Sequence, residues 1–330
     1  MNYFFGLEPL MTQEIEFFFN LNHLVLIFII VAAILALYFG LHSKTKKARK
    51  NTLLALGLTF LALEAGRVAW LAANQAYAGL PLDFDFWVSI YPFSYCGTMS
   101  LTAGFTLIIT ALKKDSRSFV MQIFYNILFG LGLLGGLITF SAPGIFDPQF
   151  PLLHFRNFQT FAVHLLLIFA PLYLIKIGKL EVRLGNVWMA AAGFLGTASI
   201  LMTASQITGT NRGWTLYVEE MIEYVGVYIP FPWHLLGIFL ALFMVPLILY
   251  IIFGRKPVDK VVCGVHVPTV TCGLVLATVL ICLIPLTFPQ IPVENVLGLL
   301  CLLPLVVIAG SIVVARRIYE KRCAPKTKKA

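Results

Sequence analysis

The stretch WVSIYPFSYCGTMSLTAGFTLIITAL, residues 87–112, contains no charged residue. A transmembrane helix needs about 20 predominantly apolar residues, so this stretch is long enough to cross a bilayer. Its first half includes IYPFSYCGTMS, residues 90–100, with a proline, hydroxyl groups and a thiol where a lipid-facing helix would carry leucine. Pro92 cannot donate a backbone hydrogen bond and predicts a kink four residues before Cys96. We therefore predict a transmembrane helix whose polar side, at Cys96, lines a site.

Long apolar runs recur over the whole chain. Of its 330 residues, 59% are hydrophobic and only 12% are charged, and the mean hydropathy is +0.89. Soluble domains carry about 25% charged residues, so the composition predicts a polytopic membrane protein. We predict an all-α membrane helical bundle with nine transmembrane helices, at 23–41, 52–73, 87–112, 119–140, 158–177, 186–205, 232–253, 262–285 and 294–315.

Lysine and arginine are distributed unevenly between the predicted loops. One set of segments holds 21 of the 24 Lys and Arg residues, namely 42–51, 113–118, 176–185, 254–261 and 316–330. Because basic residues collect in cytoplasmic loops, this pattern predicts an integral plasma-membrane protein with its N-terminus outside and its C-terminus in the cytoplasm. The net charge of +9 then reflects topology and attraction to anionic lipid, so we expect no nucleic-acid partner.

The spans divide the chain into four predicted segments. They are an outer interfacial segment at 1–22, a seven-span core with the site at 23–253, two additional spans at 254–315 and a basic tail at 316–330. Within the core, Gly132 and Gly136 stand in GxxxG spacing. This spacing favours close packing of the fourth predicted helix against a neighbour.

Polar and ionisable side chains inside a span are costly and by default suggest function. The predicted topology puts Cys96, His164, Glu64 and Arg67 in the outer half of the membrane, on three different spans. Each has a structural alternative: a packed cysteine, a buried neutral histidine, and an ion pair at positions i and i+3. Because their depths agree, we predict one polar pocket that opens to the outer leaflet. The substrate-binding residues expected around it are Arg67, Tyr95, Gln159, Asn211, Arg212, Trp233 and His234.

A thiol and an imidazole are the minimum for nucleophilic acyl transfer. The thiolate attacks an ester, the imidazole takes the thiol proton, and a thioester forms. Glu64 is the candidate to orient the imidazole, as the acid does in a catalytic triad. Tyr95 or Ser94 would stabilise the oxyanion, and Arg67 or Arg212 would hold a lipid phosphate. Because the acyl esters of phospholipids lie at this depth, we expect membrane phospholipids to be the substrate and partner.

Four motifs carry a resemblance to a known family: YPFSYCGTMSLTAGF, FPLLHFRNFQTFAVHLLLIFAPLYLI, GTNRGW and PFPWHLLG. Over roughly residues 50–253 they resemble the YwaF-like membrane proteins related to transmembrane protein 164. The family pattern corresponds here to Cys96, His164, Asn211, Pro232 and Trp233.

The resemblance implies a lipid acyltransferase that works through a cysteine thioester with a nearby histidine. It implies that Cys96 is the nucleophile and His164 the base. This chain departs from the family pattern at Arg212, where an aromatic residue is usual, and at His234, where tyrosine is frequent.

Other classes of site have less support in the sequence. No pair of the six cysteines has CxxC spacing, and the histidines near the predicted pocket have no accompanying carboxylate spacing, so we expect no metal and no cofactor. No protein partner is evident. Two alternatives stay open: a transporter or lipid-binding protein that uses the Glu64, Arg67 and His164 pocket, and a thioester hydrolase with water as the acceptor.

Overall fold

The computed structural model describes residues 4–7, 21–41, 45–83, 86–87, 95–113, 118–141, 150, 154–208, 243–244, 246–252, 261–262, 265–287 and 296–322. Its α-helices are α1 (Leu21–Gly40), α2 (Lys46–Tyr77), α3 (Tyr95–Leu112), α4 (Phe119–Ile127), α5 (Leu133–Ser141), α6 (Phe155–Lys176), α7 (Val187–Thr208), α8 (Val267–Thr287) and α9 (Leu303–Arg322). The π-helix Leu128–Gly132 joins α4 to α5, and 3₁₀ turns at Leu184–Asn186 and Val296–Leu302 precede α7 and α9. The predicted all-α bundle is confirmed, with one short antiparallel pair of strands, β1 (Val261–Val262) and β2 (Val265–His266).

Seven helices in the described part of the chain are long and apolar enough to cross a membrane. They are Lys46–Tyr77, Tyr95–Leu112, Phe119–Phe140, Phe155–Lys176, Leu184–Ser205, Val267–Ile284 and Leu299–Glu320, and α1 adds the shorter apolar stretch Ile27–Gly40. The predicted span at 232–253 lies mostly outside the described residues, so the number nine stays a prediction. Pro92 also lies outside them, and the kink expected there stays a prediction.

The chain forms two compact units, Met1–Glu181 and Val182–Ala330. These units are separated by how the chain packs, whereas the four segments predicted from the sequence are separated by where the spans end. The division into four segments stays a prediction. The residues expected to do chemistry on α2, α3 and α6 all belong to the first unit. Among the described residues, the candidate site therefore lies in the first unit.

Close helix contacts at small residues build the first unit. A Cβ atom on Gly57 of α2 would lie only 2.8 Å from the Gly104 carbonyl oxygen of α3, so the two backbones touch there. Small residues at such a crossing let two helix backbones come close. Inside a membrane this close packing takes the place of the hydrophobic driving force. At the far end of α6, Lys176 donates to the Tyr38 carbonyl and lies 4.4 Å from the centre of its ring, which holds α1 against α6.

The N-terminal residues Phe4–Leu7 pack against the first turns of α6. The Phe155 N–H donates to the Phe4 carbonyl over 2.8 Å. The Asn74 Nδ2 amide of α2 donates to the Leu7 carbonyl over 2.9 Å. These bonds satisfy a free N–H group at the start of α6 and fasten the chain's beginning to α2 and α6.

In the second unit, α7, α8 and α9 pack against one another. The Ser199 hydroxyl of α7 donates to the Cys301 carbonyl in the 3₁₀ turn before α9, over 2.7 Å. β1 and β2 pair Val261 with His266 and Val262 with Val265. None of the expected catalytic residues belongs to this unit.

Candidate active site

Cys96 lies in the first turn of α3 and faces α5. Its thiol is partly buried, and a Cβ atom on Gly135 would lie 3.7 Å from Sγ. Thr139, one turn further along α5, donates from its hydroxyl to the Gly135 carbonyl over 2.8 Å. Gly135 therefore forms the surface of α5 against which the thiol packs.

His164 lies in the middle of α6 with only 6% of its surface exposed. Its Nδ1 is 2.7 Å from the Thr160 carbonyl oxygen. Since a carbonyl only accepts, Nδ1 must carry the proton, and the neutral ring then has its free lone pair on Nε2. Nε2 is buried and has no hydrogen-bond partner among the described residues. A buried acceptor without a partner is costly, and active sites are one place where such a cost is retained.

The same short helix, α5, also contacts His164. A Cβ atom on Gly136 would lie 2.8 Å from the His164 carbonyl oxygen, and the Phe140 ring lies edge-on to the imidazole with centroids 6.4 Å apart. Successive residues point about 100° apart around a helix, so residues 135 and 139 form one face and residues 136 and 140 the next. Cys96 and His164 thus pack on neighbouring faces of α5, at the same height along its axis.

The π-helix that precedes α5 packs against both α3 and α6. All five residues of Leu128–Gly132 are buried, and this segment contacts both α3 and α6. A π-helix adds one residue to a turn and rotates everything that follows, which is why such segments often occur beside functional sites. A Cβ atom on Gly132, within it, would lie 3.6 Å from Leu167 of α6, so the packing predicted from the GxxxG spacing of Gly132 and Gly136 is confirmed.

Glu64 and Arg67 form the ion pair that their spacing on α2 predicts. Arg67 donates to Glu64 Oε1 from Nε over 3.0 Å and from Nη2 over 2.6 Å. Glu64 is buried, whereas 18% of the Arg67 side chain is exposed. The Thr160 carbonyl, instead of Glu64, orients the His164 ring, because Nδ1 is bonded to that carbonyl. The expectation that Glu64 orients the imidazole is therefore corrected, and its ion pair with Arg67 braces α2.

Two further expected site residues, Gln159 and Tyr95, lie within the described part of the chain. Gln159 is buried on α6, five residues before His164 and so on a different face of the helix. Tyr95 is half-buried beside Cys96 in the first turn of α3. Their roles in binding stay predictions. The remaining candidates lie outside the described residues: Ser94, Asn211, Arg212, Pro232, Trp233 and His234.

His154, at the start of α6, has a structural role. Its Nδ1 accepts from the Arg156 N–H over 3.2 Å, so Nε2 carries the proton that it donates to the Gly6 carbonyl over 2.9 Å. The ring stacks on Phe150 with centroids 4.3 Å apart. Both nitrogens are used, in contrast to His164.

One residue that the sequence argument did not single out completes the site. Thr160 fixes the imidazole tautomer through its carbonyl. Its residue type did not point to this role, because the bond uses the backbone. In the part of the chain that the structure describes, no three His, Cys, Asp or Glu side chains are close enough to hold a metal ion. The expected lack of a metal stays a prediction.

We expect Gly136→Ala to destabilise the first unit, because the new Cβ would lie 2.4 Å from Ile168 Cγ1 and 2.8 Å from the His164 carbonyl oxygen. Overpacking of this kind costs about 1–3 kcal/mol of unfolding free energy. Gly135→Ala is the matched control, because its Cβ would make an ordinary contact of 3.7 Å with Cys96 Sγ. Thermal unfolding in lipid nanodiscs measures both. Equal melting temperatures for the two variants would contradict the close packing of α5 on α6.

A known protein family matches most of the chain. The sequence model of the TMEM164 family matches residues 18–253, well over half of the chain and including Cys96 and His164. No curated protein and no solved structure matches the chain. The relation to transmembrane protein 164 expected from the motifs is confirmed, whereas the YwaF-like part of that resemblance stays a prediction. The chain is a membrane protein that belongs to the TMEM164 family.

Proposed function

We propose that this protein is an integral membrane lipid acyltransferase that carries the acyl group as a thioester on Cys96 and uses His164 as the base. The observation that carries the proposal is the buried Nε2 of His164, which has no hydrogen-bond partner among the described residues. The tautomer set by the Thr160 carbonyl makes this nitrogen a proton acceptor. The packing of Cys96 and His164 on neighbouring faces of α5 supports their pairing.

The first half-reaction forms the thioester. The thiol proton moves from Cys96 Sγ to His164 Nε2, and the thiolate attacks the carbonyl carbon of a phospholipid ester. The bond between that carbon and the glycerol oxygen breaks, and the imidazolium returns its proton to the departing oxygen. A lysophospholipid leaves, and the acyl chain stays on Cys96.

The second half-reaction transfers the acyl chain to an acceptor. A hydroxyl group of a lysolipid gives its proton to Nε2 and attacks the thioester carbon, and the sulfur departs. His164 then returns the proton to the thiolate, so the enzyme ends as it began. Water as the acceptor would give a fatty acid instead, which is the hydrolase alternative.

The membrane supplies both lipids. With the predicted topology, the N-terminus lies outside, the C-terminus lies in the cytoplasm, and the site lies in the outer half of the plasma membrane. The apolar helices of the first unit would hold the acyl chains of the donor beside Cys96. Neither a cofactor nor a protein partner takes part in the proposed reaction.

The proposed activity is tested with purified protein in liposomes. The donor is a phospholipid with an isotopically labelled acyl chain, and the acceptor is a lysophospholipid with a different head group. Mass spectrometry of the extracted lipids should find the label in the acceptor. Label only in free fatty acid would favour the hydrolase. Lipid binding with no movement of label, across several donor classes, would contradict acyl transfer and favour the transporter or lipid-binding alternative.

A further inference from the structure

The Ser100 hydroxyl on α3 is fully buried, and its Oγ has no hydrogen-bond partner among the described residues. Hydroxyl side chains inside a helix commonly donate to the carbonyl four residues earlier. Thr102, two residues further along α3, does so, with its Oγ1 2.8 Å from the Thr98 carbonyl oxygen. Ser100 makes no such bond to the Cys96 carbonyl. A buried hydroxyl without a partner is costly, so this one calls for an explanation.

Ser100 lies on the same face of α3 as Cys96, one turn further along the helix. Side chains four residues apart on a helix are neighbours, with Cβ atoms about 5–6 Å apart. The Cα–Cβ bond of a helical residue tilts toward the helix N-terminus, which for Ser100 is the end that carries Cys96. The buried hydroxyl is therefore directed toward the level of the thiol.

This face of α3 packs against the helix that runs from α4 to α5. At one end, Cys96 lies against Gly135, and at the other, the Thr110 hydroxyl is 2.9 Å from the Tyr125 hydroxyl. Between these two contacts, the neighbouring helix contains the buried π-helix, which packs against α3 and has no polar side chain. The surroundings of Ser100 on this side therefore offer its proton no side-chain acceptor.

α6, which also contacts α3, carries the complementary group. His164 Nε2 is a buried acceptor without a partner, and Ser100 Oγ is a buried donor without one, so the two are not bonded to each other. An ester group satisfies both atoms. Its carbonyl oxygen accepts a hydrogen bond, and its alcohol oxygen receives a proton when it departs.

We propose that Ser100 is a further catalytic residue, whose hydroxyl donates a hydrogen bond to the carbonyl oxygen of the ester that Cys96 attacks. This inference rests on the proposed function, because it assigns Ser100 to the same reaction. When the bond from Sγ to the carbonyl carbon forms, an electron pair moves onto the carbonyl oxygen, and Ser100 stabilises that negative charge while its proton stays on Oγ. When the bond to the departing oxygen breaks, the carbonyl double bond forms again. Ser100 thus holds the role expected from the sequence for Tyr95 or Ser94.

Ser100→Ala removes the hydroxyl, and two reagents separate its effect on the oxyanion from an effect on the thiol. p-Nitrophenyl butyrate acylates Cys96 through a tetrahedral oxyanion, and its nitrophenolate departs without a proton. Iodoacetamide alkylates the thiolate by displacing iodide, so no oxyanion forms. Both rates are followed on the Cys96 peptide by mass spectrometry, with the full-length protein in nanodiscs. Cys272, exposed in the second unit, is the internal control for the reagents.

We expect Ser100→Ala to slow acylation of Cys96 about 10²-fold, which is what the loss of one oxyanion donor costs. Alkylation should stay within about twofold of the wild type, because the thiolate is formed as before. The melting temperature should not fall, because the substitution removes a buried polar group that has no partner. Thr102→Val is the matched control, a hydroxyl removed from the same helix, and should acylate at the wild-type rate.

Two results would overturn the inference. Ser100→Ala that acylates at the wild-type rate would show that the hydroxyl does not meet the oxyanion. Acylation and alkylation that slow by the same factor would show that Ser100 acts on the thiol or on access to it, and not on the carbonyl oxygen.

This test does not use a lipid substrate, so it separates the two proposals. Acylation by the nitrophenyl ester that depends on Ser100, in a protein that transfers no acyl group between lipids, would support the role of Ser100 and refute the proposed function. Lipid acyl transfer that depends on Cys96 but is unchanged in Ser100→Ala would support the function and refute the role of Ser100.

Discussion

Cys96→Ala is expected to reduce acyl transfer to the level seen in liposomes without protein. The substitution removes the atom that carries the acyl group, and among the described residues no second thiol lies within 4 Å of a Cβ on Gly135. Loss of the nucleophile in other acyl-transfer enzymes costs on the order of 10⁴-fold or more in rate. The liposome assay with labelled phospholipid and lysophospholipid measures the loss.

Cys301→Ala is the matched control. Cys301 is a buried cysteine of the second unit, and its backbone carbonyl, which the substitution keeps, accepts the bond from Ser199. We expect this variant to transfer acyl groups at the wild-type rate. If the two alanine variants have equal activity, Cys96 is a packed cysteine and the proposed mechanism is wrong.

His164→Ala is expected to have the second largest effect, a loss of about 10²–10⁴-fold in the rate of transfer, which is what a general base contributes. The variant lacks Nε2, the buried acceptor that has no hydrogen-bond partner among the described residues. The thiol remains, so a slow reaction through spontaneously formed thiolate should persist and should speed up as the pH rises.

His164→Gln and His266→Gln provide the comparison for this prediction. Glutamine at position 164 keeps much of the volume but cannot act as a base, so it should be as inactive as alanine. His266, in the second unit, bonds the Thr269 hydroxyl over 2.9 Å, and its replacement should leave the rate unchanged. A His164→Gln variant with wild-type activity would remove the base from the mechanism.

The sequence was informative about features that depend on a single helix. Apolar runs predict where the helices lie, because a span needs about 20 such residues. The i and i+3 spacing predicts the Glu64–Arg67 pair, and the GxxxG spacing predicts the close contact at Gly136. The similar level of Cys96 and His164 follows from counting residues along two spans that both enter the membrane from outside in the predicted topology.

Features that depend on how helices rotate against one another could not be predicted. The π-helix at Leu128–Gly132 changes which face of α5 meets α3, and its apolar sequence does not differ from that of an ordinary helix. The position of Gly135 against the Cys96 sulfur depends on that rotation. His164 bonds the Thr160 backbone carbonyl instead of Glu64. That outcome depends on the rotamer of the imidazole, which the residue pattern does not specify.

The central claim is that Cys96 carries an acyl group, and the mass of the intact protein tests it most directly. Protein in lipid is incubated with the labelled phospholipid donor in the absence of an acceptor and is then measured with and without hydroxylamine, which cleaves thioesters. We predict that the wild type gains the mass of one acyl group, that hydroxylamine removes it, and that Cys96→Ala gains nothing. An acyl adduct that persists in Cys96→Ala, or no adduct on the wild type with any donor class, would contradict the account.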